Sequence, residues 1–303
     1  MAVTPEDPDW SVVGDLRCEL GESPVWDTAL ARLRLVDIDG RRLWTLDPAT
    51  GAASAVTCGR AVSALVPRAD GGWLAVSGRD IGALDAADGT FQPLLSLPGP
   101  ADLALNDAVC GRDGNLYVGS IDRTRAERAA LYVMDRDLNH VVLAARVGAS
   151  NGVDTSPDGR ILYHADTFAD TVTAYEGRGT PAAAVRVAHP DGIAVDADGG
   201  VWVASWGSGM LFRYTPGLAP DRALRVPAPL VTNVSFGGPD YRWMVVTTAR
   251  SDGAELSGAV FTADVGVAGL PPARFAVDPA GGRRPCHTEP DAERPSVSGF
   301  RIR

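Results

Sequence analysis

The chain has 303 residues, 45% hydrophobic and 22% charged, and 28 Lys and Arg against 38 Asp and Glu give it a net charge of −10. Without clustered basic residues it has no footprint for a phosphate backbone, and no run approaches the roughly 20 apolar residues that cross a bilayer, so nucleic acid and membrane are excluded as partners and a small molecule is expected. The segment Met1–Asp9 is polar and has no apolar leader core, which sets a cytoplasmic expectation. Oligomeric state is left open.

Trp10–Cys18 supplies extended material ahead of a pattern that then recurs along the chain. The first copy holds Glu22, the apolar run Leu33–Ile38 and a further strand at Arg42–Asp47. The second holds Ser63, the turn Asp70-Gly71, then Trp73–Ser77 and Ile81–Asp85. The third holds Asn106, Asp113-Gly114, Leu116–Ser120, a loop from Asp122 to Ala130, and Ala130–Asp135. In the fourth, Asn151 precedes an innermost strand Gly152–Thr155 and the turn Ser156-Pro157-Asp158-Gly159, followed by strands Ile161–Ala165, Thr171–Tyr175 and Ala183–Ala188. The fifth holds Asp191, Asp198-Gly199, Val201–Ser205 and Met210–Tyr214; the sixth holds Asn233, Asp240, Trp243–Thr247 and Ala259–Ala263.

Centred on Val36, Ala75, Val118, His164, Val203 and Val245, the apolar runs are spaced 39, 43, 46, 39 and 42 residues apart. A period near 40 built only of short β-branched or aromatic segments is that of a propeller blade with four strands. The expected architecture is all-β: a single six-bladed propeller domain over 1–303, with its core at about 10–278. Trp10–Cys18 and Ala273–Val277 could complete one blade from both ends, and 281–303 reads as a loose tail. The four cysteines (Cys18, Cys58, Cys110 and Cys286) form no CxxC pair.

Glu22, Ser63, Asn106, Asn151, Asp191 and Asn233 open the innermost strands, so residues up to 211 positions apart gather at one mouth of the central channel. Carboxylate and amide oxygens without thiolates make a hard-cation site: calcium first, with magnesium, manganese or zinc also admitted. Such an ion would offset the repulsion of two desolvated carboxylates.

The segments Gly21-Glu22-Ser23-Pro24-Val25-Trp26, Ser150-Asn151-Gly152-Val153-Asp154 and Pro190-Asp191-Gly192-Ile193 resemble signatures of the SMP-30/gluconolactonase/LRE-like family, the regucalcin family of calcium-dependent lactonases. Val36-Asp37-Ile38, Phe236-Gly237-Gly238-Pro239 and Thr247-Thr248-Ala249-Arg250 do so too, and the resemblance runs in order from about Cys18 to Ala276. It implies a catalytic divalent ion held by Glu22, Asn151 and Asp191. Asn106 would be a fourth group reaching metal or substrate, and Asp191 a general base on the attacking water.

One departure bears on specificity. The family's sugar lactonases carry Arg two places before the Asn of an Arg-x-Asn-Asp-Gly segment, where it binds substrate oxygens; here the segment is Ala104-Leu105-Asn106-Asp107-Ala108. Alanine cannot replace a fork of five donors. With Leu105, Cys110 and Trp206 nearby, the expected substrate is less hydrophilic than an aldonolactone.

Among the remaining polar residues, Ser63, His189 and Asn233 are pocket-lining candidates. Asp107 is expected on the opposite face of a regular strand, and Asp166 as a structural acid paired to Thr167 or Thr171. Trp26, Trp73, Trp202 and Trp243 are expected to pack between strands. The reading is a lactone-opening hydrolase. Two alternatives stand beside it: a diverged biosynthetic enzyme (dehydratase, isomerase or cyclase) using the same ion as Lewis acid, and a calcium- or ligand-binding propeller without turnover.

If residue 104 lines the pocket, Ala104→Arg shifts the ratio of kcat/KM values towards sugar lactones over less polar ones. An unchanged ratio on a lactone panel places that side chain outside the pocket.

Overall fold

The structure, a computed structural model, describes residues 3–177 and 179–277. After β1 (Ser11–Val12), the strands fall into consecutive groups of four. Blade one is β2 (Gly21–Asp27), β3 (Arg32–Asp37), β4 (Arg42–Leu46) and β5 (Ala53–Thr57); blade two is β6 (Ala64–Pro67), β7 (Trp73–Ser77), β8 (Asp80–Leu84) and β9 (Phe91–Ser96). Blade three is β10 (Leu103–Cys110), β11 (Leu116–Asp122), β12 (Ala129–Met134) and β13 (His140–Val147); blade four is β14 (Ser150–Thr155), β15 (Ile161–Asp166), β16 (Thr171–Glu176) and β17 (Thr180–Arg186). Blade five is β18 (Pro190–Val195), β19 (Val201–Ser205), β20 (Met210–Tyr214) and β21 (Pro220–Arg225); blade six is β22 (Val231–Gly237), β23 (Trp243–Thr248) and β24 (Phe261–Asp264), completed by β1. Every pairing is antiparallel within these six four-stranded sheets, so the chain is a six-bladed β-propeller. Among the described residues no helix is long and apolar enough to cross a membrane.

The repeated Asp-Gly steps are the turns between first and second strands. Gly71, Gly114, Gly159 and Gly199 have φ of 89°, 82°, 71° and 83°, a region that costs glycine little. Apolar residues on both faces of each blade form six buried clusters, one in every interface between neighbouring blades. The expected tryptophans lie here: Trp26 and Trp243 meet edge to face at 5.8 Å between blades one and six, and Trp202 is fully buried between blades five and six.

Only the N-terminal half of the expected two-ended closure occurs. Ser11 and Val12 pair with Thr262 and Phe261, Val13 N–H donates to Val260 O at 2.9 Å, and Trp10 Nε1 donates to Arg225 O at 2.6 Å. Ala273–Val277 instead leaves blade six. Phe275 N–H donates to Pro67 O at 2.8 Å, its carbonyl accepts Ala69 N–H at 2.9 Å, and its ring is buried between blades two and three. The reason is Pro271-Pro272, which lacks ladder donors and ends strand geometry. This segment crosses the channel, where Leu270, Pro272 and Ala273 line a central cavity of about 130 Å³. The expected 281–303 tail and Cys286 lie outside the described residues.

Deleting residues 1–13 removes the outer strand of blade six and the buried Val13. A loss of about 3 kcal/mol is expected, read as a fall in Tm of roughly 5 °C. An unchanged melting curve would mean that β24 needs no outer partner.

Candidate functional site

The inner strands β2, β6, β10, β14, β18 and β22 pack one against the next, and β22 packs on β2 to close the circle. Five of them change register beside their ring residue: between Glu22 and Val25, Leu105 and Ala108, Ser150 and Val153, Pro190 and Ile193, and Val231 and Asn233. Such bulges re-aim side chains that a regular strand would alternate. The backbones are close: a side chain at Gly152 would strike the Asp191 carbonyl, and one at Gly192 would strike Asn233. Ser23, directly after Glu22, is held at φ 48°, a strained setting of the kind that collects at sites.

Hydrogen bonds stitch these residues across blades. Asn233 Nδ2 donates to Glu22 Oε2 at 2.8 Å, while Asn233 Oδ1 accepts the Val234 N–H at 2.8 Å, which fixes the orientation of the amide. Ser63 Oγ donates to Asn106 O at 2.8 Å. Asn106 Nδ2 donates to Ser150 O and Asn151 Oδ1, both at 3.2 Å. Asn151 Nδ2 donates to Thr167 Oγ1 at 3.1 Å, and Thr167 Oγ1 donates to Pro190 O at 2.7 Å, beside Asp191. Glu22 and Asp191 are buried, and Asp191 Oδ1 has no hydrogen-bond partner.

Burial and mutual repulsion raise the carboxyls. Desolvation, then the Asp107 charge, raises Glu22; desolvation, then Glu22 and Asp107, raises Asp191. Asp107 is pushed up to about 6, chiefly by desolvation, although part of its surface stays open to the channel. None of these three carboxyls has a guanidinium or ammonium group among its main influences. A positive charge is therefore the missing complement, and the orphaned Asp191 oxygen fits a hard cation. Among the described residues no three His, Cys, Asp or Glu side chains stand close enough to hold an ion alone, so amide oxygens would have to complete the set.

Asp107 corrects the sequence reading. The bulge between Leu105 and Ala108 turns it into the channel, towards Glu22, Asp191 and Asn233, instead of onto the opposite face. Asp154 was missed altogether. It lines the channel, accepts Val195 N–H at 2.8 Å and Thr155 N–H at 2.7 Å, and is raised to about 6 by desolvation. Its signal was an acid amid the apolar residues of an inner strand. Thr167 was read as a partner of Asp166, but it bonds Asn151 and Pro190. Asp166 is structural within its turn as expected, but through the N–H groups of Phe168 and Ala169 at 3.2 and 3.3 Å, not through Thr167 or Thr171, and it also accepts Gly148 and Ala149 N–H at 3.1 Å each.

The expected apolar wall is reduced. Cys110 ends β10, about 13 Å along the strand from Asn106; it packs with Leu105 between blades two and three and lines the central cavity deeper in the channel, away from the ring. Ala104 is half-buried at the start of β10, opposite Ile121. Trp206 is half-buried just past the end of β19, its N–H donating to His189 O at 3.0 Å. His189 is exposed at φ 41°, and its backbone N–H donates to Asp170 Oδ1 at 2.8 Å. His164 is buried with Nε2 2.7 Å from Ser150 Oγ, and burial lowers its pKa to about 4, so it is neutral near pH 7.

A family model described as the SMP-30/Gluconolactonase/LRE-like region matches residues 20–250. Regucalcin of Oryctolagus cuniculus is 28% identical over 285 residues, covering 86% of this chain and 95% of that protein. Pentonolactonase XacC of Haloferax volcanii is 31% identical over 281 residues, again 86% of this chain and 95% of that protein. The crystal structure of a calcium-binding protein, regucalcin, from Agrobacterium tumefaciens superposes with a TM-score of 0.82 at 24% identity, covering 90% of this chain and 99% of that one.

A carboxyl whose pKa rises on folding binds its proton more tightly in the folded chain. Stability is then lost as pH rises from the unfolded value, 4.5 for Glu, towards the folded one. Metal-free melts in chelator should fall from pH 4.5 through 6 and beyond, by at most about 1.4 kcal/mol per pH unit for each group. Asp191→Asn should flatten that slope and raise the melting temperature at pH 8. A slope unaltered by the substitution refutes the coupling.

Proposed function

The chain belongs to the SMP-30/gluconolactonase/LRE-like family, and from that premise we propose that it is a metal-dependent hydrolase that opens a lactone or related cyclic ester. The observation that carries this reading is the channel mouth itself: buried Glu22 and Asp191 repel each other without a basic side chain, and a buried oxygen of Asp191 lacks a partner. Glu22, Asn151 and Asp191 would hold one divalent ion, calcium first. When bound, the ion supplies Lewis-acid polarisation of the lactone carbonyl and positive charge for the developing oxyanion.

The side chains divide the remaining work. Asn151 donates through its NH₂ to Thr167, and its carbonyl oxygen, which accepts one bond from Asn106, would use its second lone pair towards the mouth. Asn106 likewise spends its NH₂ on Ser150 and Asn151, so its carbonyl oxygen is the atom free for ion or substrate. Asn233 orients Glu22 by holding Oε2. Asp191 takes a proton from the attacking water. Water oxygen bonds to the carbonyl carbon, the ring C–O bond breaks, and the proton passes to the departing ring oxygen.

Glu22→Gln and Asp191→Asn should each abolish stoichiometric calcium binding by calorimetry. Proton release from a lactone panel should fall at least about a hundredfold. Wild-type protein that binds calcium tightly yet opens no lactone or ester would overturn the hydrolase reading.

A further inference from the structure

The ring lies at one mouth, and the loops joining second to third strands rise around it. The loop of blade three, between β11 and β12, is built around one acid. Asp122 is fully buried and accepts N–H groups from Thr124 at 3.0 Å and from Ala126 and Arg128 at 3.1 Å each. It also binds Arg128 Nε at 3.0 Å, and Arg128 reaches on to Asp102 at 2.7 Å. Within this braced loop Arg125 is held at φ 58° and Glu127 at φ 53°, a conformation that costs non-glycine residues energy. The two nearby aspartates, Asp102 and Asp122, are both engaged by Arg128, and among the described residues no carboxylate pairs with Arg125.

Arg125 instead stacks on Phe168, its guanidinium carbon 4.3 Å from the ring centroid. Phe168 is a large apolar side chain with 36% of its surface exposed, packed close against Gly148. It directly follows Thr167, the residue that orients Asn151. The loop meets the same place from its own side: Asp122 N–H donates to Gly148 O at 3.1 Å, and Ile121 pairs with Ala104. A guanidinium is thus braced on a loop at the rim, stacked on the residue after Thr167, and the loop follows the strand that pairs with Ala104. Stacking holds the planar fork while leaving its in-plane donors free for a carboxylate.

We propose that Arg125, stacked on Phe168, binds a carboxylate carried by the lactone substrate. This rests on the lactonase reading and names its substrate class. A monoanion fits better than a dianion: Glu22, Asp107 and Asp191 against one divalent ion leave a residual negative charge in the mouth. It also revises the apolar-substrate expectation, two of whose four residues lie away from the ring: Leu105 in the core and Cys110 at the far end of its strand.

The test compares 5-oxotetrahydrofuran-2-carboxylate with γ-valerolactone, which carries a methyl in place of the carboxylate, on calcium-loaded protein. Wild type should prefer the carboxylate by roughly tenfold or more in kcat/KM, with the preference shrinking at high salt. Arg125→Gln should erase the preference through KM, leaving kcat for both lactones and the melting temperature unchanged; Arg125→Lys should restore part of it. Equal KM values for the two lactones in wild type, or an equal loss on both in Arg125→Gln, would overturn the proposal while leaving the hydrolase reading intact. If neither lactone is opened, calorimetric binding of the same pair decides: tighter, Arg125-dependent binding of the carboxylate supports the assignment, and equal binding refutes it, while the hydrolase reading is judged on the wider lactone and ester panel.

Discussion

Three carboxyl groups from three different blades converge where water is scarce and no basic side chain answers them. Glu22 comes from blade one, Asp107 from blade three and Asp191 from blade five. Their mutual repulsion is the central electrostatic constraint on the mouth. Protons can relieve it in the metal-free chain, and a divalent ion can relieve it more completely. Neither remedy would hold the acids in place. That falls to the cross-blade hydrogen bonds, in which Asn233 grips Glu22 and Thr167 joins Asn151 to the carbonyl before Asp191. Six apolar interfaces around the circle supply the burial against which such a strained centre can persist.

The blades were readable because each rests on local chemistry. An Asp-Gly turn followed by an apolar run needs no distant partner to be recognised, and the third strands fall within a residue or two of their expected places. The ring was readable for a related reason: equal phase in a repeat becomes equal radius around an axis. Direction was not readable. Asp107 was placed on the wrong face because alternation assumes a regular ladder, and the bulge after Leu105 breaks it. Cys110 was drawn to the pocket by its nearness in sequence to Asn106, although an extended strand carries it to the far end.

Contacts between blades were equally hidden. Asp154 spends one oxygen on Val195, 41 positions away, and Thr167 answers an amide 16 positions before it. Neither spacing belongs to a turn or strand rule. The crossing of the channel by Leu270–Ala273 was obscured in another way. Strand propensity in Ala273–Val277 suggested a ladder partner, but the two prolines before it commit the chain to a path across the propeller.

The fold separates holding from selecting. The acids and amides sit on inner strands, where a change of side chain disturbs two blades at once, as the close approach of Gly152 and Gly192 to their neighbours makes plain. The rim is built differently. The loop between β11 and β12 is braced by Asp122 from within, so Arg125 projects from a frame that does not depend on its side chain. Substrate preference can then shift by exchanging a residue at the rim or at position 104 while the charged centre keeps its geometry. On that view Ala104, with only a methyl group, leaves recognition of substrate charge to the rim, where Arg125 would supply it.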